Sequence, residues 1–332
     1  MKPASAAPAA TGQRRPGRHR PGGVRTRWWV ILAFMSPFVI GFTVFTAYPV
    51  ITALYYSFTN FQMGSARAVK WVGFTNYANL FTGFNASRFW HAVRNTVWMV
   101  VVMVPVQTIW ALAVAWVVAK VKHGAKIYRV IYYLPAMMPV VAGALAFIVM
   151  LNPAGVIDHW LISLGLGTPP QWFGDPAWSK PSLVMMRLWM VGNTMVIFSA
   201  SLLDVPQQLY EAADLDGANG WRKFWHITLP SISPVIFFSL LTGVIYTFQY
   251  FTEAFVISGA SNAATTSPAQ LLGFPQDSLY FYTIGIYEQG FSYFKTGVAS
   301  AMAFLLFLVI FAVTLVFIRV QRRLVYYSGD SS

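Results

Sequence analysis

The sequence has few charged residues: only 10% of its 332 residues are Asp, Glu, Lys or Arg. A soluble globular domain carries about 25% charged residues, so this chain has too few to cover a surface that faces water. Hydrophobic residues make up 57% of the chain, and several apolar stretches reach the ~20 residues that cross a bilayer as a helix. A transmembrane barrel would show short alternating segments, whereas these runs are continuous. We therefore predict an all-α polytopic membrane protein.

The sequence also lacks the motifs of common catalytic sites. It has no cysteine, which excludes disulfides and thiol chemistry. Its histidines are scattered, with no H-x-x-x-H pair that could bind a metal. Neither a G-x-S-x-G motif, nor paired catalytic carboxylates, nor a G-x-x-x-x-G-K-[ST] phosphate loop is present. We therefore predict no catalytic residue, no metal site, no cofactor bound by this chain and no ATPase activity, so that the chain is not an enzyme.

Six apolar stretches are long enough to span the membrane. They lie at about 28–50, 93–118, 128–151, 183–203, 234–257 and 297–319. An even number of spans places both termini on the same side of the membrane. We predict one transmembrane domain at 28–320, preceded by a disordered basic tail at 1–27 and followed by a C-terminal tail at 321–332.

Basic residues are concentrated on one side of this topology. The net charge is +13, and seven of the 23 Lys and Arg residues fall in the Pro-, Gly- and Ala-rich tail at 1–27. Together with the loops on the same side, sixteen of the 23 lie there. Cytoplasmic loops carry such an excess of Lys and Arg. We therefore predict that both termini are cytoplasmic, and that the tail contacts anionic membrane lipid rather than nucleic acid.

A charged segment at 204–232 interrupts the apolar sequence on the predicted cytoplasmic side. Ala212 and Ala213 leave part of its surface without bulk, so the backbone of another protein could approach closely, and Glu211 offers an acceptor there. From the spacing alone two interpretations stay open. The segment is either a helix that rests on lipid or a docking element for another protein.

Local signals divide this segment into two helices. Asp204 and Pro206 suit the start of the first helix, and Gly217 suits its exit. Asn219 is a plausible N-cap of the second helix, which we predict to end at Pro230. Three aromatic residues recur at i, i+3 and i+4 on one face of that second helix: Trp221, Phe224 and Trp225.

Two ionisable residues lie within predicted spans, Arg187 in the fourth and Glu253 in the fifth. Such a group at membrane depth costs at least ~2.5–3.5 kcal/mol on insertion scales, so it usually faces a cavity or a partner. We predict that the two pair with each other, or that they line a polar substrate path with further residues of these helices: Asn193, Tyr246, Gln249 and Tyr250. The alternative is that both snorkel to the outer interface and bind nothing.

Residues 209–234 read LYEAADLDGANGWRKFWHITLPSISP. This stretch resembles the EAA motif of ATP-binding-cassette (ABC) importer permeases, whose wider form is DLYEAADLDGAxxWxxFxxITLPxxxP. In that family the element is the coupling helix, which docks in a groove of the cytoplasmic ATPase subunit. The resemblance implies that coupling to the ATPase falls to five residues of this segment: Glu211, Ala212, Ala213, Asp216 and Gly217.

Four further stretches resemble the carbohydrate-uptake branch of the same family. They are WVGFTNYANLF at 71–81, FWHAVRNTV at 89–97, YYLPAMMP at 132–139 and LYFYTIGIYEQGFSYFKTGVASAMAF at 279–304. The resemblance covers about residues 28–320. It implies the type I ABC importer permease fold with six transmembrane helices, in a bacterial plasma membrane. It also implies import of a sugar or related polyol, as in the maltose and glycerol-phosphate type permeases.

The resemblance further implies several partners. They are a second homologous permease, a cytoplasmic ATPase dimer that binds ATP and Mg²⁺, and an extracytoplasmic solute-binding protein. In the family, the helices that here hold Arg187 and Glu253 carry the sugar site of the larger maltose permease, although Arg187 stands where that relative has Asn. Two alternatives stay open: an ion-coupled secondary transporter, and an ABC importer of another solute such as a glycerol phosphate, which would pair with Arg187.

Overall fold

The computed structural model describes most of the chain: residues 28–84, 86–121, 123–153, 155–261 and 272–324. The predicted basic tail at 1–27 and residues 325–332 of the predicted C-terminal tail lie outside the described residues. The chain divides into two compact units, Met1–Val50 and Ile51–Ser332. The residues predicted to function in coupling and in substrate passage all belong to the second unit.

The described chain is helical, and the one extended pairing in the part that the structure describes is an isolated bridge between Thr59 and Trp71. The α-helices are α1 (Trp28–Phe42), α2 (Tyr48–Ser57), α3 (Thr75–Thr82), α4 (Ala86–Lys120), α5 (Ala125–Tyr133), α6 (Val140–Met150), α7 (Val156–Ser163), α8 (Pro176–Trp189), α9 (Gly192–Leu203), α10 (Gln207–Leu215), α11 (Gly220–Lys223), α12 (Leu229–Ser231), α13 (Ser233–Phe248), α14 (Thr252–Ser261), α15 (Tyr282–Tyr287) and α16 (Thr296–Leu324). Short π-helical or 3₁₀ segments continue four of them: Thr43–Ala47, Leu134–Met137, Phe224–Thr228 and Glu288–Ser292. The predicted all-α class is confirmed.

Three helical stretches are long and apolar enough to cross a membrane: Trp28–Ser57, Ala86–Lys120 and Thr296–Gln321. Three more candidates are helix pairs with a bend: 98° between Ala125–Met137 and Val140–Met150, 49° between Pro176–Trp189 and Gly192–Leu203, and 66° between Gly220–Ser231 and Ser233–Phe248. If each bent pair is one span, the described residues hold up to six, in the order that the sequence predicts. The last helix continues to Leu324, so the predicted boundary at residue 320 falls inside it.

A proline accounts for the sharpest bend. Met138 is extended, with φ −71° and ψ 142°, because the residue before a proline is disfavoured in the α conformation. Pro139 then occupies the N-cap position of α6. The span predicted at 128–151 therefore consists of two helices that meet at a large angle.

The predicted fifth span at 234–257 is also broken, because α13 ends at Phe248 and α14 begins at Thr252. A break in a helix frees carbonyl groups that need another partner. Here the Tyr250 carbonyl accepts a hydrogen bond from the Thr283 hydroxyl. The irregular backbone is satisfied from within the protein, as membrane depth requires.

Helix α4 is the main packing element of the second unit, and it contacts α3, α5, α8, α9, α13 and α15. Three of its alanines are fully buried: Ala92, Ala111 and Ala115. Small residues of this kind let membrane helices approach closely. Gly192 has a similar role at the start of α9, because a Cβ there would come within 2.7 Å of the Tyr132 carbonyl oxygen.

Candidate functional site

The charged segment folds as a helix, a glycine turn and a second helix. The first helix, α10, begins at Gln207, with Pro206 at its N-cap position and no side chain that caps it. The prediction that Asp204 begins this helix is wrong. Asp204 lies in the helical region at the C-cap of α9, where its N–H bonds to the Ala200 carbonyl, so it completes the preceding helix instead.

Gly217 ends α10, as the sequence predicts. Its φ is +71°, a left-handed conformation that glycine adopts without strain. The Gly217 N–H donates to the Asp214 carbonyl at 3.1 Å, and the Ala218 N–H donates to the Ala213 carbonyl at 2.9 Å. These bonds form a Schellman motif, which satisfies the last carbonyls of the helix. A Cβ at Gly217 would meet no atom within 4 Å, so the backbone angle, rather than lack of space, favours glycine.

The second helix begins at its predicted cap, because the Asn219 side chain accepts a hydrogen bond from the Arg222 N–H at 2.9 Å. It continues one residue beyond its predicted end at Pro230. A π-helical turn at Phe224–Thr228 is followed by another α-helical turn, which carries the helix to Ser231. The three predicted face residues pack together, with ring centroids 5.7 to 6.1 Å apart: Trp221, Phe224 and Trp225.

Two side-chain contacts tie these helices to each other. The Tyr210 and Thr228 hydroxyls are hydrogen-bonded at 2.8 Å, and Thr228 is buried. Nearer the glycine turn, the Lys223 ammonium pairs with the Asp214 carboxylate. The two helices therefore form one braced element, in which a displacement of α10 displaces the second helix.

The braced element is also connected to α4, the longest helix that the structure describes. The Phe224 ring packs against the Trp116 ring of α4 with centroids 5.4 Å apart. The Lys120 ammonium lies 3.4 Å from the centroid of the same Trp116 ring, which is a cation–π contact. The end of α4 and the charged segment are thus held together by aromatic and cationic side chains.

The free surface of α10 holds most of the predicted coupling residues. Ala213 is half-buried, and the other four are exposed: Glu211, Ala212, Asp216 and Gly217. Sequence analysis missed Leu215, whose side chain is 91% exposed beside them. The sequence feature that could have indicated this residue is its position, as an apolar residue between two aspartates.

Arg187 and Glu253 form an ion pair, which is one of the two arrangements that the sequence predicts. Arg187 Nη2 lies 2.8 Å from Glu253 Oε1, and the contact falls outside hydrogen-bond geometry. Glu253 is 3% exposed, whereas the Arg187 side chain is 29% exposed. The guanidinium also lies 5.4 Å from the centroid of the Tyr250 ring. A buried carboxylate needs such a cation, because an unpaired buried charge is strongly destabilising.

Two further polar atoms beside this pair are buried and have no hydrogen-bond partner within the described residues: Arg187 Nε and Tyr250 Oη. The other predicted path residues do not join the cluster through any contact that the described residues show. Tyr246 is 73% exposed, Asn193 is exposed on α9, and the Gln249 amide donates to the Ile245 carbonyl at 3.1 Å. Of the predicted path residues, the structure therefore brings three into contact: Arg187, Tyr250 and Glu253.

A second ionic cluster, which sequence analysis missed, joins the start of α4 to the segment before α16. Arg88 Nη1 lies 2.6 Å from Glu288 Oε1, and Arg88 Nη2 lies 3.3 Å from Asp277 Oδ1. The Tyr280 hydroxyl donates to Glu288 Oε2 at 2.6 Å. Burial raises the pKa of this phenol, and the Glu288 carboxylate raises it further, so Tyr280 remains a donor. The sequence feature that could have indicated this cluster is Glu288, the single acidic residue between residues 279 and 304.

This cluster braces the chain and does not resemble a metal site, because Arg88 matches its carboxylates. No group of three or more His, Asp or Glu side chains in the described part of the chain is placed to hold a metal ion.

Comparison with known proteins identifies the family. Residues 78–326 match the family described as "Binding-protein-dependent transport system inner membrane component". A probable ABC transporter permease protein of Bacillus subtilis is 33% identical over 301 residues, which are 90% of this chain and 92% of the relative. An arabinooligosaccharides transport system permease protein of the same organism is 29% identical over 87% of both chains.

A solved structure supports the predicted fold. A chain of a bacterial alginate ABC transporter, crystallised with its alginate pentasaccharide-bound periplasmic protein, matches with a TM-score of 0.75 at 22% identity. The match covers 89% of this chain and 94% of that chain. The predicted type I ABC importer permease fold is confirmed. This chain belongs to the family of inner membrane components of binding-protein-dependent transport systems.

Proposed function

We propose that this chain is the permease subunit of an ATP-driven importer for a sugar or related polyol. Its family is the membrane component of such systems and not their ATPase. The arabinooligosaccharide permease among its relatives supports a saccharide as the solute. The observation that carries the proposal is the charged segment. It is a braced two-helix element, and Leu215 on its first helix is 91% exposed.

The geometry of this element suits a coupling helix. A docked ATPase would contact the face of α10 that holds Glu211, Ala212, Asp216 and Leu215. When the ATPase closes, the Tyr210–Thr228 and Asp214–Lys223 contacts carry the displacement into the second helix. That helix leads into α13 after a single residue and packs on α4. The movement of one surface helix therefore reaches two transmembrane helices.

The proposed assembly includes partners on both sides of the bacterial plasma membrane. A second homologous permease would complete the transmembrane unit. A cytoplasmic ATPase dimer with ATP and Mg²⁺ would dock on α10, and an extracytoplasmic solute-binding protein would deliver the solute. The excess of Lys and Arg at the termini and in the charged segment supports cytoplasmic termini.

The Arg187–Tyr250–Glu253 cluster is the proposed polar contact along the solute path. Arg187 is already neutralised by Glu253, so the cluster offers donors and acceptors without an unpaired charge. Tyr250 Oη and Arg187 Nε are buried here, and in a conformation that opens the cluster they would bond solute hydroxyls. This arrangement favours a neutral polyol over a glycerol phosphate. It also argues against a proton-coupled carrier, because Glu253 is held by a cation.

Substitution of Leu215 tests the coupling assignment. We expect Leu215→Asp to weaken co-purification of the ATPase with the permease at least about fivefold, because a hot-spot contact at the centre of an interface contributes more than about 1 kcal/mol. ATP-dependent uptake by proteoliposomes that contain the complete importer should fall with it. The permease itself should stay in the membrane, since Leu215 contributes little to its packing.

Leu164→Asp is the matched control, because Leu164 is 70% exposed at the end of α7, away from the charged segment. It should leave ATPase binding unchanged. Equal ATPase binding and uptake by the Leu215→Asp and wild-type proteins would contradict the assignment of α10 as the coupling helix.

A further inference from the structure

Two adjacent cavities lie between the N-terminal parts of α4 and α16. One, the polar cavity, has a volume of about 550 Å³, and its lining includes Asn79, Arg88, Tyr280, Glu288, Gln289 and Lys295. The other, the apolar groove, has a volume of about 240 Å³, and its lining includes Phe81, Trp90, Val97, Phe248, Leu305 and Val309. The first suits a polar group and the second suits a hydrocarbon chain.

The two cavities are adjacent. Phe89 lines both of them. Along α16, Met302 lines the polar cavity, and Leu305, Leu306 and Val309 line the apolar groove. These four residues follow the i, i+3, i+4, i+7 spacing of one helix face, and they extend over ~10 Å at 1.5 Å per residue. A single elongated ligand with a polar end could therefore occupy both cavities.

The position of the cavities relative to the membrane follows from the helices that form them. Both α4 and α16 are candidate membrane spans. Arg88 lies in the first turn of α4, and Lys295 immediately precedes α16. The polar cavity is thus at the membrane interface, where two spans begin. The groove runs from there toward the bilayer interior, and Val309 and Val97 on its edges are 46% and 45% exposed.

Lys295 provides the cavity with a positive charge that no acid in the described residues neutralises. Arg88 is matched by Glu288 and Asp277, and Glu288 also accepts from Tyr280. The Lys295 ammonium contacts the Tyr293 ring, 5.8 Å from its centroid, and forms none of the ion pairs that the described residues show. An anionic group is the natural ligand for such an ammonium.

We propose that the polar cavity and the apolar groove together hold one membrane phospholipid. Its phosphate contacts Lys295, and one acyl chain lies along α16 as far as Val309. A saccharide would leave the apolar groove unused. A helix of another subunit would cover the apolar groove, and the Val309→Trp variant described below distinguishes that occupant from a lipid. The proposal requires only that the chain spans a membrane, so it stands apart from the identity of the transported solute.

Native mass spectrometry of the assembled importer, with added phosphatidylglycerol as the probe, tests this site. We expect the wild-type permease to retain about one tightly bound phospholipid there. Lys295→Gln should weaken phosphatidylglycerol binding about fivefold, the effect of one basic residue near a lipid surface. Val309→Trp should lower the occupancy independently, because an indole would fill the apolar groove. Lys70→Gln, in an exposed lysine outside both cavities, should bind lipid like the wild type.

Three outcomes would overturn the proposal. In the first, all variants bind phosphatidylglycerol equally. In the second, Val309→Trp releases another subunit from the complex without loss of lipid, which assigns the groove to a protein helix. In the third, inorganic phosphate displaces the bound lipid and Val309→Trp has no effect, which reduces the site to an anion site.

Discussion

Arg187 and Glu253 are two opposite charges in the interior of this permease, and each is paired with the other. Glu253 is almost completely buried in the first turn of α14, and Arg187 reaches it from the end of α8. The pair therefore links two helices that flank breaks in the membrane part of the chain. Its contribution to folding and its contribution to transport can be separated by substitution.

We expect Arg187→Met to lower the free energy of unfolding by about 2 kcal/mol, because it leaves Glu253 buried without a cation. A fully buried pair would lose ~3–5 kcal/mol, but the Arg187 side chain is 29% exposed. Thermal unfolding of the detergent-purified protein measures this loss. The double variant Arg187→Met/Glu253→Gln should recover most of it, because both charges are then absent.

Uptake distinguishes a solute contact from a structural ion pair. If the cluster binds solute, the double variant should remain defective in uptake although its stability has recovered. Arg94→Met is the control, because Arg94 is exposed and contacts the His91 ring. Wild-type uptake by the double variant would remove Arg187 and Glu253 from the proposed solute path.

At the scale of the structural element, the coupling segment depends on the left-handed turn at Gly217. A β-branched residue at φ +71° costs roughly 1–2 kcal/mol, although it meets no neighbouring atom. We expect Gly217→Val to shift or fray the end of α10 and to abolish ATP-coupled uptake, while the protein stays in the membrane. Transport assays with purified, reconstituted importer provide the measurement.

Two substitutions control for this backbone effect. Gly217→Asn should retain most uptake, because asparagine tolerates the left-handed conformation. Gly220→Ala should also be tolerated, since Gly220 has open space for a Cβ and does not have a positive φ. Normal uptake by Gly217→Val, or equal loss in all three variants, would contradict the role of the turn.

The sequence predicts best those features whose signal is local. Gly217 and Asn219 mark the turn between the two helices through their own backbone and capping preferences. The Arg187–Glu253 pair could be predicted as one of the arrangements open to two opposite charges at membrane depth. The break after α13 could not, since Thr283, which satisfies it, lies 33 residues away. The Arg88–Glu288 contact joins residues 200 positions apart, so no local sequence pattern predicts it.

At the scale of the whole molecule, the membrane topology depends on which bent helix pairs cross the membrane. The α8–α9 pair bends by 49° and contains helices of 14 and 12 residues. At 1.5 Å per residue these are ~21 Å and ~18 Å long, so together they exceed the ~30 Å hydrocarbon thickness despite the bend. The pair therefore has the length to place α7 and α10 on opposite sides.

Single cysteines can test this topology directly, because the chain has no cysteine of its own. Thr168 and Gln208 are both exposed and lie on either side of the α8–α9 pair. We expect a membrane-impermeant maleimide to label Thr168→Cys in intact cells, and to label Gln208→Cys only after permeabilisation. Labelling of both in intact cells would show that the pair does not cross. Labelling of Gln208→Cys alone would place the coupling helix outside, where no ATPase could dock on it.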